Sequence, residues 1–151
     1  MSATEQEERT PKVGIGLFLI KRIDGNVHIL LSQRKVEFGR GEWSLPGGHV
    51  QEYEDPVDAC KREVLEETGI KVTGAVRPIT FFNYINLPLK KHYITLYYFC
   101  DEFEGEPMNM EPDKHGPWSW FHIAWLPFPI WQGISMVVKQ YWGKFEKGTA
   151  Q

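Results

Sequence analysis

The chain of 151 residues has little of several features that would place it in a special class of protein. It has only two cysteines, Cys60 and Cys100, which excludes a disulfide framework and predicts two buried free thiols in a reducing cytoplasm. No apolar run approaches the roughly 20 residues that cross a membrane. The first residues are polar and acidic, without the apolar core of a signal peptide. We therefore expect a cytoplasmic protein without a membrane partner.

Charge of one sign is also scarce, because the net charge is only −3 and charged residues make up 25% of the chain. A surface that binds nucleic acid needs a basic stripe, so no nucleic-acid partner is expected. Hydrophobic residues make up 42%, which is ordinary for a soluble globular domain of this length. Aromatic residues are plentiful at 14%, with six tryptophans, and many of them lie in the last third. They favour a stacking pocket or an aromatic interface.

Apolar periodicity predicts the order strand, strand, helix, several strands, helix. Strands are expected within residues 13–20, 27–33, 71–84, 92–103 and 118–123, and a C-terminal helix over residues 131–142 that Gly143 ends. This order predicts a mixed sheet between helices, a three-layer α/β/α sandwich of the α/β (α+β) class. We expect a flexible tail over residues 1–12 and one domain over residues 13–151.

The central stretch of the chain is residues 48–70, which contains a well-delimited helix. Asp55 is a good N-cap, Pro56 suits the first helical position, and Gly69 suits a left-handed stop. A helix from Pro56 to Thr68 is therefore predicted.

Glu63, Glu66 and Glu67 gather on one side of this helix, beside its apolar face. Like charges at i and i+4 cost a bare helix about 0.2–0.5 kcal/mol, and a bound cation would reverse that sign. Clustered carboxylate oxygens suit Mg²⁺ or Mn²⁺ rather than zinc. Three glutamates on an arbitrary helix are more often a solvated surface, so the cluster alone leaves both interpretations open.

The whole stretch, however, resembles the signature of the Nudix hydrolases. Every fixed place of that signature is matched, at Gly48, Glu54, Arg62, Glu63, Val64, Glu66, Glu67, Gly69 and Ile70. The preceding run, Leu45-Pro46-Gly47-Gly48, also resembles the family. The resemblance implies the Nudix fold, in which a loop–helix–loop holds divalent metal against a diphosphate.

The resemblance also implies roles for individual residues. Glu63 and Glu67 would be the main metal ligands, and Glu66 would ligate, orient a group through water, or act as general base. Arg62 would form an ion pair that orients Glu54 or a ligand glutamate. The Gly47 carbonyl would join the metal shell. A further carboxylate would come from the loop over residues 104–117, where we choose Glu111 among Glu104, Glu106, Glu111 and Asp113.

Further motifs resemble a narrower group, the MutT-like nucleoside triphosphate diphosphatases that sanitise nucleotide pools. They include Val13 to Gly16, His92 to Thr95, Glu106 to Lys114 and Trp118 to Trp120. This resemblance implies Mg²⁺-dependent hydrolysis of a nucleoside triphosphate, oxidised or modified in some members, to monophosphate and pyrophosphate, with Mn²⁺ as a possible substitute. It also implies a possible homodimer. The base pocket would contain Leu45, Thr95, Trp131, Gly133 and Ile134, with Arg34 and His49 toward the phosphates.

Several alternatives stay open at this point. His49 is equally consistent with a loop histidine that does not touch substrate, and Trp131 with ordinary helix core. A second enzymatic interpretation is a pyrophosphatase of nucleoside-diphosphate-linked compounds such as ADP-ribose. A third is a non-catalytic nucleotide-binding module, although such modules usually lose the equivalents of Glu63 or Glu67. The sequence does not indicate which base is bound.

Overall fold

A mixed β-sheet forms the centre of the molecule. The computed structural model describes Ser2 and residues 10–147, apart from the side chain of Lys147. The strands in this part of the chain are β1 (Lys12–Ile23), β2 (Asn26–Gln33), β3 (Trp43–Ser44), β4 (Gly47–His49), β5 (Lys71–Val72), β6 (Arg77–Asn86), β7 (Lys91–Cys100), β8 (Phe103–Glu104) and β9 (Ser119–His122). The helices are α1 (Pro56–Thr68) and α2 (Ile134–Lys147).

The strand order of the main sheet is β3-β2-β1-β7-β6, with β4 paired to β1 and β9 to β2. The β1–β7 pair is parallel and the other pairs are antiparallel, so the sheet is mixed as predicted. The start of β1 pairs with β4 and its end with β2. This arrangement places Gly47–His49 alongside Gly14–Gly16. The strands β5 and β8 form a separate small sheet.

The two faces of β1 pack against different helices. Ile15, Leu17 and Leu19 share a core cluster with residues of α1, namely Ala59, Cys60 and Val64. Phe18 and Ile20 share the other core cluster with residues of α2, namely Ile134, Val137, Val138 and Phe145. Side chains alternate between the faces of a strand, so the helices cover opposite faces of the sheet. The three-layer prediction is confirmed.

The helix α1 has the predicted bounds. Asp55 Oδ1 accepts a hydrogen bond from Val57 N at 2.8 Å, and Gly69 closes the helix with φ 75° and an N–H that bonds to Leu65 O. The apolar face is buried, and Glu67 at its border is only 2% exposed. The two caps therefore set where α1 begins and ends, and so which side chains of its last turn face the sheet.

The C-terminal helix differs from its prediction. It begins at Ile134 rather than Trp131, because Gly133 has a φ of 85°, outside the helical region. It also continues through Gly143 to Lys147, beyond a non-helical residue at Tyr141. Phe145 is fully buried and its ring lies 5.1 Å from that of Phe18, so tertiary packing holds the last turns and overrides the glycine.

The remaining strand predictions need smaller corrections. Residues 71–84 contain two strands, β5 and β6, and residues 92–103 likewise contain β7 and β8. Lys12, expected in the tail, is the first residue of β1 and pairs with Tyr93. Of the predicted tail, residues 1 and 3–9 lie outside the described residues.

Candidate active site

Glu67 stands at the centre of the candidate site. Its Oε1 accepts a hydrogen bond from the Gly47 amide at 2.8 Å, and its Oε2 lies 2.6 Å from His115 Nε2. Its main-chain oxygen accepts a hydrogen bond from Trp118 Nε1 at 3.1 Å. Burial raises the pKa of the Glu67 carboxyl, although His115 and the Gly47 amide oppose the rise. The buried carboxyl thus contacts both the start of β4 and the loop that carries His115.

Glu63, one helical turn earlier, faces the Gly-Gly segment. A Cβ added to Gly48 would lie 2.5 Å from Glu63 Cδ, so only glycine leaves room for this carboxyl. Burial and the neighbouring Glu67 charge raise the pKa of Glu63 to about 7. Two carboxyls whose pKa values are raised by burial and by neighbouring carboxylates form a site that a cation would stabilise.

Arg62 ties the preceding loop to α1. Its Nε and Nη2 donate to the two oxygens of Glu54 at 2.7 and 2.9 Å, and Nη2 also donates to His49 O at 3.0 Å. The guanidinium holds the pKa of Glu54 at about 2. Nη1 donates to Glu63 Oε1 at 2.8 Å and to Glu66 Oε2 at 3.3 Å. Arg62 thus contacts Glu54 and a candidate ligand together, the ion-pair arrangement expected from sequence.

The three helix glutamates differ in placement. Glu67 is buried and Glu63 has a side chain that is 15% exposed, whereas the Glu66 side chain is 51% exposed. Glu66 therefore lies on the outer side of α1, beside Arg62.

Among the four candidate loop carboxylates, Glu111 approaches this cluster. Ligand atoms of Glu67, Glu111 and His115 all lie within 4.8 Å of one another, close enough to hold one metal ion. His115 was missed by the sequence analysis. A signal was available, because Pro112-Asp113 favours a turn, and His115 N indeed bonds to Glu111 O at 3.1 Å. Such a turn places residues 111 and 115 on one side.

A cavity of about 310 Å³ begins at this cluster and runs between β4, β7 and the start of α2. Its acidic end contains Glu67 and His115, and its other end is aromatic, with Phe38, Phe82 and Trp131. The Arg34 guanidinium lies 4.1 Å from the centroid of the Trp131 ring, and its Nε and Nη2 donate to Phe38 O. Its Nη1 has no such bond to Phe38. Arg34 thus lies between the aromatic and acidic ends.

Most of the residues that the sequence placed around the substrate line this cavity: Arg34, Leu45, His49, Thr95, Trp131 and Ile134. Gly133 does not. A Cβ there would lie 2.8 Å from the Tyr97 hydroxyl and 2.9 Å from Phe82 Cγ, so Gly133 packs behind these two residues that line the cavity. The His49 ring stacks on Tyr93, with centroids 5.7 Å apart.

Sequence reasoning also missed part of the aromatic wall. Phe82, Tyr93 and Tyr97 come from the paired strands β6 and β7, and Gln132 accepts a hydrogen bond from the Tyr97 hydroxyl at 2.9 Å through its main-chain oxygen. Burial raises the pKa of Tyr97, which keeps its hydroxyl a donor. The alternation of side chains along a strand predicts which residues share a face of the sheet. It does not predict which of the two faces will border a cavity.

The comparisons with known proteins agree with this geometry. The family model described as NUDIX domain matches residues 10–141. The chain belongs to the Nudix family, and it is a Nudix hydrolase.

The chain is also similar to individual proteins of known name. The chain is 37% identical over 107 residues to an 8-oxo-dGTP diphosphatase of Buchnera aphidicola, covering 67% of this chain and 83% of the relative. It is 31% identical over 131 residues to an oxidized purine nucleoside triphosphate hydrolase of Danio rerio, covering 78% of each chain. A crystal structure of a MutT NUDIX hydrolase from Burkholderia pseudomallei superposes with a TM-score of 0.80 at 33% identity, covering 87% of this chain and 98% of that one. Neither helix in the described part of the chain is long and apolar enough to cross a membrane.

Proposed function

We propose that this chain hydrolyses a purine nucleoside triphosphate, oxidised purines first among them, to the monophosphate and pyrophosphate with the help of Mg²⁺. One observation carries the proposal: the cavity runs from Glu67, beside which Glu63 and Glu111 lie, to an aromatic end at Trp131. A nucleotide is a molecule with a polyanion at one end and a flat ring at the other. The named activities of the Buchnera and Danio relatives support the same class of substrate.

The donor set at the acidic end fits a divalent metal. Glu63, Glu67 and Glu111 would supply hard oxygen ligands, which suit Mg²⁺ and Mn²⁺. Burial and neighbouring carboxylates raise the pKa values of Glu63 and Glu67, an effect that nearby positive charge would counter. A bound dication would supply that charge, neutralise the phosphates and lower the pKa of a bound water.

The protein's own residues would divide the remaining work. Glu63, Glu67 and Glu111 would hold the metal together with the Gly47 carbonyl. Glu66, which is the most exposed of the helix glutamates, would act as general base or orient the attacking water. Arg62 would hold the carboxylates of Glu54 and Glu63 in position through its hydrogen bonds to both.

At the other end, the pocket would select the base by stacking and by neutral hydrogen-bonding groups. Trp131 and Phe82 offer aromatic surface, while Thr95 and Ser44 offer hydroxyls. Glu67 is the only acidic residue that lines the described cavity, and it lies at the metal end. Arg34 would face the phosphates through the part of its guanidinium that does not bond Phe38.

A substrate panel at saturating Mg²⁺, with products separated by chromatography, tests this proposal. It would contain normal and oxidised (d)NTPs, a pterin triphosphate and ADP-ribose. We expect monophosphate and pyrophosphate from oxidised purine triphosphates, with little turnover of ADP-ribose. Release of AMP from ADP-ribose with inert triphosphates would contradict the proposal and favour a pyrophosphatase of nucleoside-diphosphate-linked compounds. An inert panel would favour a binding module.

The Glu67→Gln variant isolates the metal site. Because a neutral amide ligates metal poorly, we expect turnover to fall by more than about 100-fold. Circular dichroism should show an unchanged fold, since the side-chain amide oxygen of glutamine can still accept the hydrogen bond from the Gly47 main-chain N–H. Near-normal turnover would remove Glu67 from the proposed site.

We further propose a cytoplasmic homodimer that acts on free nucleotides rather than on nucleic acid. Cys60 and Cys100 are both buried free thiols, which suits a reducing compartment. Phe81, Ile85 and Leu87 expose apolar surface on and beside the edge strand β6. Light scattering after size exclusion would test the dimer, and a monomer mass at micromolar concentration would contradict it.

A further inference from the structure

Lys114 is a basic residue beside the acidic end of the cavity, and none of the roles proposed above uses it. Its Nζ lies 3.2 Å from Glu111 Oε2, whereas Glu111 Oε1 lies 3.9 Å from His115 Nε2. The side chain of Lys114 is 60% exposed and that of Glu111 is 29% exposed. The two oxygens of Glu111 therefore have different neighbours, and the ammonium is the more exposed of these groups.

The main chain around Lys114 is held in place, although its side chain is exposed. Lys35 N donates to Lys114 O, and Lys114 N donates to Glu111 O, each at 2.9 Å. Gly116 N donates to Gln33 O at 2.8 Å. The ammonium can therefore change its partner while the backbone stays where it is, because only side-chain torsions need to change.

Three other cations near the acidic end already have roles or partners. Arg62 donates to three carboxylates and one main-chain oxygen, and Lys35 Nζ donates to Pro112 O at 3.1 Å. Arg34 lines the cavity itself. Lys114 differs from all three, because it is paired with a carboxylate that the proposed function gives to the metal.

Lys114 also lies at a greater depth along the substrate path than the cavity wall. Glu67 and His115 line the acidic end, whereas Glu111 and Lys114 lie next to them without lining the cavity. A nucleotide with its base against Trp131 would extend its phosphates toward Glu67. Its outer phosphates would then pass the end of the cavity and come within reach of the lysine.

We propose that Lys114 binds the outer two phosphates of the substrate, the part that leaves as pyrophosphate, once Glu111 has exchanged its ammonium partner for the metal. An exposed ion pair between lysine and a carboxylate is weak, so it is readily exchanged. A triphosphate carries more negative charge than one dication neutralises, and an ammonium is an effective point charge for phosphate. The inference rests on the proposed function and deepens it by assigning the residue that selects the triphosphate tail.

The test is calorimetry of the full chain at saturating Mg²⁺ with two nucleotides that are not consumed. One is dGMP, and the other is a dGTP analogue with a methylene bridge between the α and β phosphorus atoms. Lys114→Met should raise the Kd of the analogue at least about tenfold and leave that of dGMP unchanged, because only the analogue has outer phosphates. Lys114→Arg should retain most of the affinity. Lys139→Met, which removes an exposed lysine from α2, is the matched control and should bind both as wild type does.

Inorganic pyrophosphate repeats the test without a base, so that its result does not depend on which nucleoside the pocket prefers. Its Kd should also rise at least about tenfold in Lys114→Met. A wild-type protein that binds neither the analogue nor pyrophosphate would overturn the inference.

Mg²⁺ binding without nucleotide should change in the opposite direction. Removing the ammonium frees Glu111, so Lys114→Met should bind Mg²⁺ as tightly as wild type or up to about fivefold more tightly. A structural role would weaken the binding of Mg²⁺ and phosphates together. Weaker Mg²⁺ binding in this variant would therefore overturn the inference.

The two proposals fail in different ways. Unchanged affinity of Lys114→Met for the analogue, or an equal loss for the analogue and dGMP, would overturn the phosphate contact and leave triphosphate hydrolysis intact. A selective loss for the analogue in a protein that hydrolyses no triphosphate would sustain the contact and contradict the proposed function.

Discussion

Gly48 and Glu63 are in contact across the loop–helix junction, and the contact leaves no room for a side chain at residue 48. A Cβ at Gly48 would lie 2.5 Å from both Cδ and Oε1 of Glu63. The glycine therefore determines where the carboxyl of Glu63 sits, and this relationship can be tested directly.

We expect Gly48→Ala to displace the Glu63 carboxyl and to lower kcat by about 100-fold, since a shift of about 1 Å at a reacting centre has that effect. The fold should persist, because the obstacle is the far end of a flexible side chain. Steady-state kinetics and thermal denaturation would measure the two effects. A kcat within a factor of two or three of wild type would show that the Glu63 position is unimportant.

Trp131→Ala should change nucleotide discrimination more than chemistry. Removing the ring takes away stacking surface in the cavity and the partner of the Arg34 guanidinium. KM should rise and the ratio of kcat/KM values between bases should change, while kcat for the best substrate changes less. Trp125→Ala is the control, because Trp125 is 78% exposed. If base preference is unchanged and only stability falls, Trp131 is core rather than pocket.

The Glu54–Arg62 pair predicts a pH-dependent loss of stability. The folded-state pKa of Glu54 is about 2 against an ordinary value of 4.5, so its ionised form is stabilised by folding. That stabilisation is complete above pH 4.5 and is lost as the pH falls toward 2. Urea denaturation should therefore show Glu54→Gln less stable than wild type at neutral pH, with the difference shrinking in acid. An equal difference at both pH values would argue against the ion pair as its source.

Gly143→Ala should stabilise the protein. Gly143 is itself exposed within α2, and no atom of the described residues beyond its chain neighbours and the backbone of its own helix lies within 4 Å of the position of an added Cβ. Alanine in a helix is favoured over glycine by about 1 kcal/mol, so the melting temperature should rise by a few degrees without any change in turnover. A lower melting temperature would mean that the helix ends at Gly143 after all.

Much of α1 could be predicted because its determinants are local. Asp55, Pro56 and Gly69 act on backbone groups within one turn of themselves, and the spacing of Glu63 and Glu67 fixes their relative positions on any α-helix. The C-terminal helix was predicted less well, because Phe145 is held by the sheet and not by its neighbours in sequence. Its start depends on Gly133, whose φ of 85° goes with close packing against Phe82 and Tyr97.

The sequence by itself determined the family signature, the bounds of α1 and the acidic character of one helix face. All of these follow from residues within a few turns of one another. Only the tertiary structure decided that Glu111 and His115 meet Glu67, that Glu66 turns outward, and that the aromatic residues of β6 and β7 close the cavity. Such contacts depend on how distant segments pair and pack. Burial raises the pKa values of Glu63 and Glu67, and these side chains are buried only after the distant segments have packed.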